Sequence, residues 1–476
     1  MKFLLIVVLA AAAYFPSLMH VPRGDQIMYL AEVAEKPGLY DLTLGSYDLN
    51  RHRLFNPGDE ILFRPVDYLL LGSEQYFFKH NFLAWQAVGI LLHILVVGLL
   101  LRLLLTVHSG AAAYVAAGFF ALLFTNMEMV VWHHINAYMI FVACTLAALR
   151  RFCLVLTGSN DPGHYRAIGL LLLAGAFTHE LGNIVAAGLG VVLWFQKPQG
   201  RKMVIWIWAV PAVYIAASLL NALCHPFTMT AGPHVSTGVV GVVGNWLYAM
   251  WVWLTAGLFP FDLKWLFAAR NMIAPEQIRM VPVIHFSWPV IFALAAVSTY
   301  AWCLFGAGRR NVLAWTSFAI ACAFAGLIAV GRGTQVGIWE TLRVNTYYFY
   351  MFWIFAVVGV YASIDWSKAG LWQKRLLAAA AAGLMLVNGA TLYSVNEQQA
   401  RSNNHINVLV QALDFLIEDK KEEPGFSFYV DPQYPGNYVY KELRRTDDPE
   451  RQYTFVEALY PQYFTTVNPK YKLLAQ

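Results

Sequence analysis

The sequence predicts an all-α polytopic membrane protein of about eleven to twelve transmembrane helices. A long first extracytoplasmic loop with amphipathic helices and a small C-terminal soluble α+β appendage complete the expected architecture. Three observations predict it. The 476 residues are 59% hydrophobic and 13% charged, with a mean hydropathy of +0.51, against about 45–50% apolar and about 25% charged in soluble domains. Apolar runs of about 20 residues, the length that crosses a bilayer core, recur along most of the chain. Ionisable groups gather instead in the segment 20–81 and in the tail from Asn396. The expected division is therefore a transmembrane domain, 1–395, with 20–81 as its first extracytoplasmic loop, and a soluble extracytoplasmic region, 396–476.

The first apolar run, 3–19, follows Lys2. No clean small-residue cleavage site precedes the polar loop, and Tyr14-Phe15-Pro16 interrupts the run, so a retained helix with a cytoplasmic N-terminus is expected. Helices follow at about 82–105, 111–126 and 130–149. Arg102 and Arg150-Arg151 end two of them and, by the positive-inside bias, lie in the cytoplasm. The corner 126–134 is then outside, on the side of the first loop.

Two short helices, about 167–178 and 183–196, form a hairpin whose tip, Thr178 to Asn183, also points outward. Such a tip below the membrane surface is tolerated only where its backbone lines a protein cavity. Apolar stretches at about 203–224, 237–259 and 285–306 lie between the basic clusters 197–202 and 309–310. Parity there makes one of them re-entrant or interfacial, and the glycine-rich 237–259 is the choice. Helices at 312–331 and 346–364 flank an outer loop, and a last helix spans about 376–394.

The net charge of +5 is spread over short loops, so it orients helices and excludes nucleic acid as a partner. Sixteen Trp and twenty-five Tyr suit aromatic belts at two interfaces. Cys144, Cys153, Cys224, Cys303 and Cys322 lie in or beside apolar runs and read as free thiols. No phosphate-binding glycine loop, dinucleotide fingerprint or His/Cys metal motif is present. An enzyme on the outer face would thus take an activated substrate from the membrane. No cofactor is expected, with a divalent cation left open.

Ionisable groups near helix ends in a membrane are functional candidates because burying them is costly. Asp25 follows Gly24 where the first helix meets the outer surface, as a general base or as a helix N-cap. Glu128 sits among Met127, Met129, Val130 and Val131 at the outer corner, a second candidate catalytic carboxylate. His133 and His134 follow, able to donate hydrogen bonds to phosphate, or structural. Arg64, in an amphipathic surface stretch 61–71, and Arg332 and Arg343, in the late outer loop, offer forks that match phosphate. Asp25, Glu128 and one of these arginines are expected to line a cavity of about 300–1,000 Å³.

These residues resemble the GT-C superfamily of polytopic glycosyltransferases, of the protein O-mannosyltransferase and aminoarabinose-transferase type. The likeness lies in Gly24-Asp25-Gln26, in Phe63-Arg64-Pro65-Val66, and in the Leu-His helix Gly89 to Leu95. It extends to Glu128 with Trp132, to His179-Glu180 on the hairpin, and to Arg343 with Tyr347-Tyr348. It covers about residues 1–390 and departs where Gln26, Gly89 and His179 replace the family's usual residues. The resemblance implies inverting transfer of a sugar from a polyprenyl-phosphate donor to a protein, lipid or glycan acceptor at the outer face. Asp25 and Glu128 would then be catalytic. Arg64, His133, His134, His179, Glu180, Arg332, Arg343 and Tyr347 would bind substrate. The expected setting is an integral protein of the bacterial inner membrane with an extracytoplasmic site.

Three other readings compete. A lipid or glycan transporter or flippase would favour broken helices and midplane charges in repeated halves, and no repeat is present. An oligosaccharide ligase would use a lipid-diphosphate donor. A structural envelope-assembly protein would rest on the soluble tail.

Overall fold

The structure is a computed structural model of the whole chain. It describes residues 2–20, 38–39, 64–78, 81–159, 161–224, 239–258, 311–332, 347–366, 370–420, 428–430, 441–445, 448–455 and 474–475. Asp25, Arg343 and the apolar stretch 285–306 lie outside them.

Helix α1, Lys2–Tyr14, continues as a 3-10 turn, Phe15–Met19. Helix α2 is Pro65–Phe78 and α3 is Phe82–Val107. Then come α4, Ala111–Ala121, and the short α5, Met127–Val131. Helix α6 is Ala137–Leu156, α7 Pro162–Ala176 and α8 Leu181–Gln196. The later helices are α9, Ile205–Cys224, α10, Val239–Leu258, and α11, Val312–Arg332. Helices α12, Tyr347–Ser363, and α13, Leu371–Lys420, complete the helical part. Among the described residues six helices are long and apolar enough to cross a membrane, or seven with the bent pair α4–α5 as one span. Two further apolar helices, α8 and α12, are shorter. The chain is an integral membrane protein.

Helix α12 carries Tyr, Phe, Trp and aliphatic residues all round, and such a helix belongs in the middle of a bundle. Every residue of it but Val360 is buried, and it touches α3, α4, α10 and α11. His93 of the Leu-His helix α3 ties this centre together. Its Nε2–H donates to the Ala121 carbonyl at 3.0 Å, which leaves Nδ1 to accept from the Tyr350 hydroxyl at 3.0 Å. An unpaired imidazole in that setting would cost several kcal/mol, on the order of 2–7.

Two helix boundaries differ from expectation at the outer corner. Helix α4 stops at Ala121, where 126 was expected, and α6 starts at Ala137, where 130 was expected. The chain between them bends by 57° from α4 into α5. Side chains catch the backbone groups this break frees: Asn388 Oδ1 accepts from Phe124 N–H at 3.2 Å, and Asn126 Nδ2 donates to the Phe120 carbonyl at 2.6 Å. Asparagines inside apolar runs thus stabilise a break that hydropathy does not show. Gly89 of α3 lets the corner approach, because a Cβ there would collide with the Val130 carbonyl.

The glycine-rich stretch expected to be re-entrant is the uninterrupted 20-residue α10. The helix expected at 376–394 runs from Leu371 to Lys420. Apolar length sets a membrane crossing, but α-helical hydrogen bonding continues through the Glu- and Gln-bearing residues beyond it, which are good helix formers. The expected boundary at 396 therefore falls inside a continuous helix. Asn396 itself is buried, its Nδ2 donating to the Ala13 carbonyl at 3.3 Å and its own carbonyl meeting His20 Nε2 at 2.9 Å. Beyond the helix, strands β1 (Phe428–Val430), β2 (Lys441–Arg445), β3 (Asp448–Phe455) and β4 (Leu474–Ala475) form one sheet in the order β3-β2-β1-β4. The β1–β4 pair is parallel and the others antiparallel.

The bundle has two unlike ends. One carries Lys2, Arg102, Arg150, Arg151, Lys374 and Arg375, with Arg150 Nε donating to Thr106 Oγ1 at 3.3 Å and the Tyr361 hydroxyl donating to the His108 carbonyl at 2.9 Å. The other gathers Arg64, the corner 122–136, the hairpin tip 177–180 and the start of α12.

Candidate functional site

The second end is built around Arg64. Pro65 opens α2, a favoured first helical residue because its missing N–H needs no partner there. Val66 N–H donates to the Phe177 carbonyl at 3.2 Å, so α2 starts against the hairpin tip. Arg64, just before it, points its fork at Glu180: Nε donates to Oε2 at 2.9 Å and Nη2 to Oε1 at 2.8 Å. Nη1 donates to the Tyr138 hydroxyl at 2.6 Å, and the guanidinium carbon lies 5.2 Å from the Tyr138 ring centroid. The Arg64 side chain is 11% exposed and that of Glu180 41%. One cation thus locks the polar loop's end, the α7–α8 hairpin and α6.

The electrostatics follow from that lock. Burial disfavours the Arg64 charge, but Tyr138, Glu180 and Asp67 override it and raise the guanidinium further above its usual value. Burial likewise opposes ionisation of Glu180, yet its cationic surroundings and the Arg64 hydrogen bonds hold the carboxyl well below its usual range. Burial lowers His179 to about 4 against the pull of Glu180, and its Nδ1 accepts Leu181 N–H at 3.2 Å. His179 is therefore neutral, and its 3.8 Å approach to Glu180 is no ion pair. Arg64 is the cation that acts on Glu180. Tyr138 meets the His179 ring edge-on at 4.7 Å.

Helix α2 is inside out for a soluble helix. Asp67, Leu71 and Glu74, one face at i, i+4 and i+7, are buried, while Leu69 and Phe77 are 50% and 67% exposed. It packs on α3, α6 and the turn 133–135. Asp67 Oδ1 and both Glu74 carboxylate oxygens are buried without a hydrogen-bond partner. Burial pushes the Asp67 carboxyl up to about 7, with Arg64 opposing and Glu180 adding. Burial, with the Asp67 charge, pushes Glu74 well above the carboxylate range.

The corner supplies the second group. Glu128 Oε2 accepts the backbone N–H of Tyr347, the first residue of α12, at 3.1 Å. Tyr347 lies 6.0 Å from the Trp132 ring and 6.4 Å from the Tyr138 ring, which links the corner to the Arg64 cluster. His133 is buried, with Nδ1 3.0 Å from Asn136 Nδ2 and its ring edge-on to Trp85 at 5.6 Å.

The structure thus brings together Arg64, Glu180, His179, Tyr347 and Glu128 from four separate stretches. Each of them has protein partners there. Arg64 and Glu180, both expected to bind substrate, pair with each other. His133 is packed inside the corner against Asn136 and Trp85, where its neighbours suit a structural part. Glu128 caps the start of α12, where the first backbone N–H groups lack helical partners. His134 lies in the turn 133–135 and Arg332 at the end of α11; their side chains, like Asp25 and Arg343, are outside the described residues.

Sequence reasoning missed Tyr138, Asp67 and Glu74. The seven-residue spacing of two acids on one helical face was the available signal. Two cavities formed by described residues lie elsewhere. One of about 590 Å³ is at the basic end, and one of about 180 Å³ is bounded by Phe141, Leu181, Phe324 and Met351; neither is lined by Glu128 or Arg64. Among the described residues no group of three or more His, Cys, Asp or Glu could hold a metal ion.

No protein-family profile matches the sequence, and no curated protein matches it. Solved structures similar to the chain include ArnT from Cupriavidus metallidurans in the apo state, at 16% identity and TM-score 0.36, over 75% of this chain and 76% of that one. The same protein bound to undecaprenyl phosphate gives 16% identity and TM-score 0.34, over 76% and 77%. The oligosaccharyltransferase of Archaeoglobus fulgidus, in complex with zinc and sulfate, gives 14% identity and TM-score 0.38, over 84% of this chain and 53% of that one. Superposition this loose leaves the chemistry to be argued from the chain's own residues.

Proposed function

We propose that this protein is a glycosyltransferase that moves a sugar from a polyprenyl-phosphate-linked donor to an acceptor at the outer face of the membrane. The observation that carries the reading is the Arg64–Glu180–Tyr138 cluster with the buried carboxylates of α2. It assembles ionisable groups at one end of an apolar bundle, where each is costly to bury. That end is opposite the basic one, as the positive-inside bias requires of an extracytoplasmic site.

In the proposed step an acceptor hydroxyl attacks the anomeric carbon with inversion. Its proton passes to the Asp25 carboxylate, and the bond from the anomeric carbon to the phosphate oxygen breaks with its electron pair leaving on polyprenyl phosphate. Arg332 and Arg343 meet that phosphate. Arg64, matched by Glu180, is a positioning residue: it holds the start of α2 against the α7–α8 hairpin tip and α6.

The test is turnover of undecaprenyl- or dolichyl-phosphate sugars by the purified protein in detergent. Asp25→Asn is expected to reduce transfer by about 10²–10⁴-fold with folding intact, the usual contribution of a positioned base. Arg343→Ala is expected to raise the donor KM, so that added donor restores part of its rate. Full activity of Asp25→Asn moves the base to Glu128. Absence of transfer from every lipid monophosphate sugar overturns the reading, and transfer from lipid diphosphate sugars alone makes the protein an oligosaccharide ligase.

One observation favours a transporter instead. The 57° break between α4 and α5 is of the kind that binds substrates in discontinuous helices. Movement of a lipid-linked sugar across proteoliposomes without loss of its glycosidic bond would establish that reading.

A further inference from the structure

The cavity at the basic end belongs to none of the chemistry above. It has a volume of about 590 Å³ and lies between α4, α12 and α13. Its walls are small and apolar: Ala112 and Ala116 on α4, Ala356 and Val357 on α12, Ala378 and Ala381 on α13. Small residues on facing membrane helices ordinarily let the backbones close up. Here the same residues face a void instead, one within the range of ligand sites, about 300–1,000 Å³.

The mouth has a built rim. The Tyr361 hydroxyl donates to the His108 carbonyl at 2.9 Å, and Trp366 Nε1 donates to the Tyr361 carbonyl at 3.0 Å. The His108 and Trp366 rings stack at 6.2 Å, 15° from parallel. Lys374 lines the cavity beside them and pairs with no carboxylate among the described residues. Asp365 lies in the same turn as Trp366. An unpaired ammonium at the opening of an apolar slot matches an amphiphile with a hydrocarbon chain and an anionic head.

We infer that this cavity binds an anionic phospholipid of the cytoplasmic leaflet, one acyl chain between α4 and α13 and its phosphate at Lys374 and His108. The positive-inside bias puts the basic end at that leaflet, and basic pockets between helices there hold anionic head groups. The site is independent of the glycosyl-transfer reading and stands at the other end of the bundle.

A phosphatidylglycerol with a photoreactive group on its acyl chain, added to the intact protein in phosphatidylcholine nanodiscs, tests the assignment. Crosslinks are expected on Val115, Phe119, Leu377 and Leu384, and unlabelled phosphatidylglycerol is expected to suppress them at lower concentration than phosphatidylcholine. Lys374→Gln is expected to weaken that competition about fivefold, the effect of one basic residue near an anionic surface. Ala381→Leu is expected to remove the crosslinks by filling the slot. Labelling spread equally over the lipid-facing residues Leu371, Trp372, Leu376 and Leu386 would mean ordinary boundary lipid and overturn the proposal. So would stronger competition by undecaprenyl phosphate, which would make the site one for the carrier lipid. The wild-type crosslinking map decides even if Ala381→Leu fails to fold.

Discussion

Among the described residues Arg64 and Glu180 form the one bidentate pair of opposite charges. Removing one partner of a buried pair costs about 3–5 kcal/mol, mostly because a charge is left stranded. Glu180 keeps 41% of its side chain exposed, so water takes up part of that charge. Arg64→Ala is accordingly expected to lower stability by roughly 1–3 kcal/mol, read as a fall in Tm in detergent. Arg64→Lys is expected to recover less than half of it, since an ammonium cannot donate in a fork. Recovery to the wild-type Tm would mean that charge alone holds the hairpin.

Asp67 gives a pH dependence of definite sign. Its folded value is raised to about 7 by burial, against about 3.9 unfolded. Its contribution is present in full below about pH 4 and is lost as pH rises through 7. His179, lowered to about 4, and Glu180, also lowered, act oppositely, their contributions fading as the medium becomes acid. Asp67→Asn is therefore expected to raise Tm at pH 8 relative to pH 5, compared with wild type. Equal shifts at both pH values would show that Asp67 is not held protonated by its surroundings.

Helix α2 and the corner are the elements that build the candidate site. A helix with carboxylates inward and Leu69 and Phe77 outward fits a protein whose surroundings are apolar and whose interior is wet or reactive. The corner depends on Gly89 and on the Glu128 bond to Tyr347 N–H. Gly89→Ala is expected to destabilise by about 1–3 kcal/mol, the usual cost of overpacking, and to displace α5, read as changed proteolysis between 122 and 136. Glu128→Gln, which keeps an oxygen acceptor for Tyr347, is expected to fold normally, whereas Glu128→Ala loses about 1 kcal/mol, as a lost helix cap does. A large loss of transfer in Glu128→Gln with unchanged Tm would restore a catalytic part for this carboxylate.

At the scale of the whole molecule, the basic residues gathered at one end of the described helices predict an orientation. In a background without native cysteines, Tyr76→Cys on α2 and Ser109→Cys in the α3–α4 turn are expected to react with impermeant thiol reagents from opposite sides of sealed vesicles. Tyr76→Cys is expected to react from the extracytoplasmic side. Reaction of both from one side would overturn the orientation and with it an outer-face site.

The sequence by itself determined the class of molecule and the places of the six spans found among the described residues, because apolar length and charge placement follow directly from the thickness and polarity of the bilayer. It also singled out Arg64, Glu128, Glu180 and Tyr347, since an ionisable or aromatic residue at a helix end stands out against apolar runs. It did not show that Arg64 and Glu180 cancel each other, for that bond joins positions 116 residues apart. Nor did it show the break after Ala121, where Asn388, far along the chain, accepts the freed Phe124 N–H. Tyr138 and the α2 carboxylates were hidden for the same reason. Periodicity tells which residues share a face, but only packing of that face on α3 and α6 decides whether it meets water, lipid or another charge.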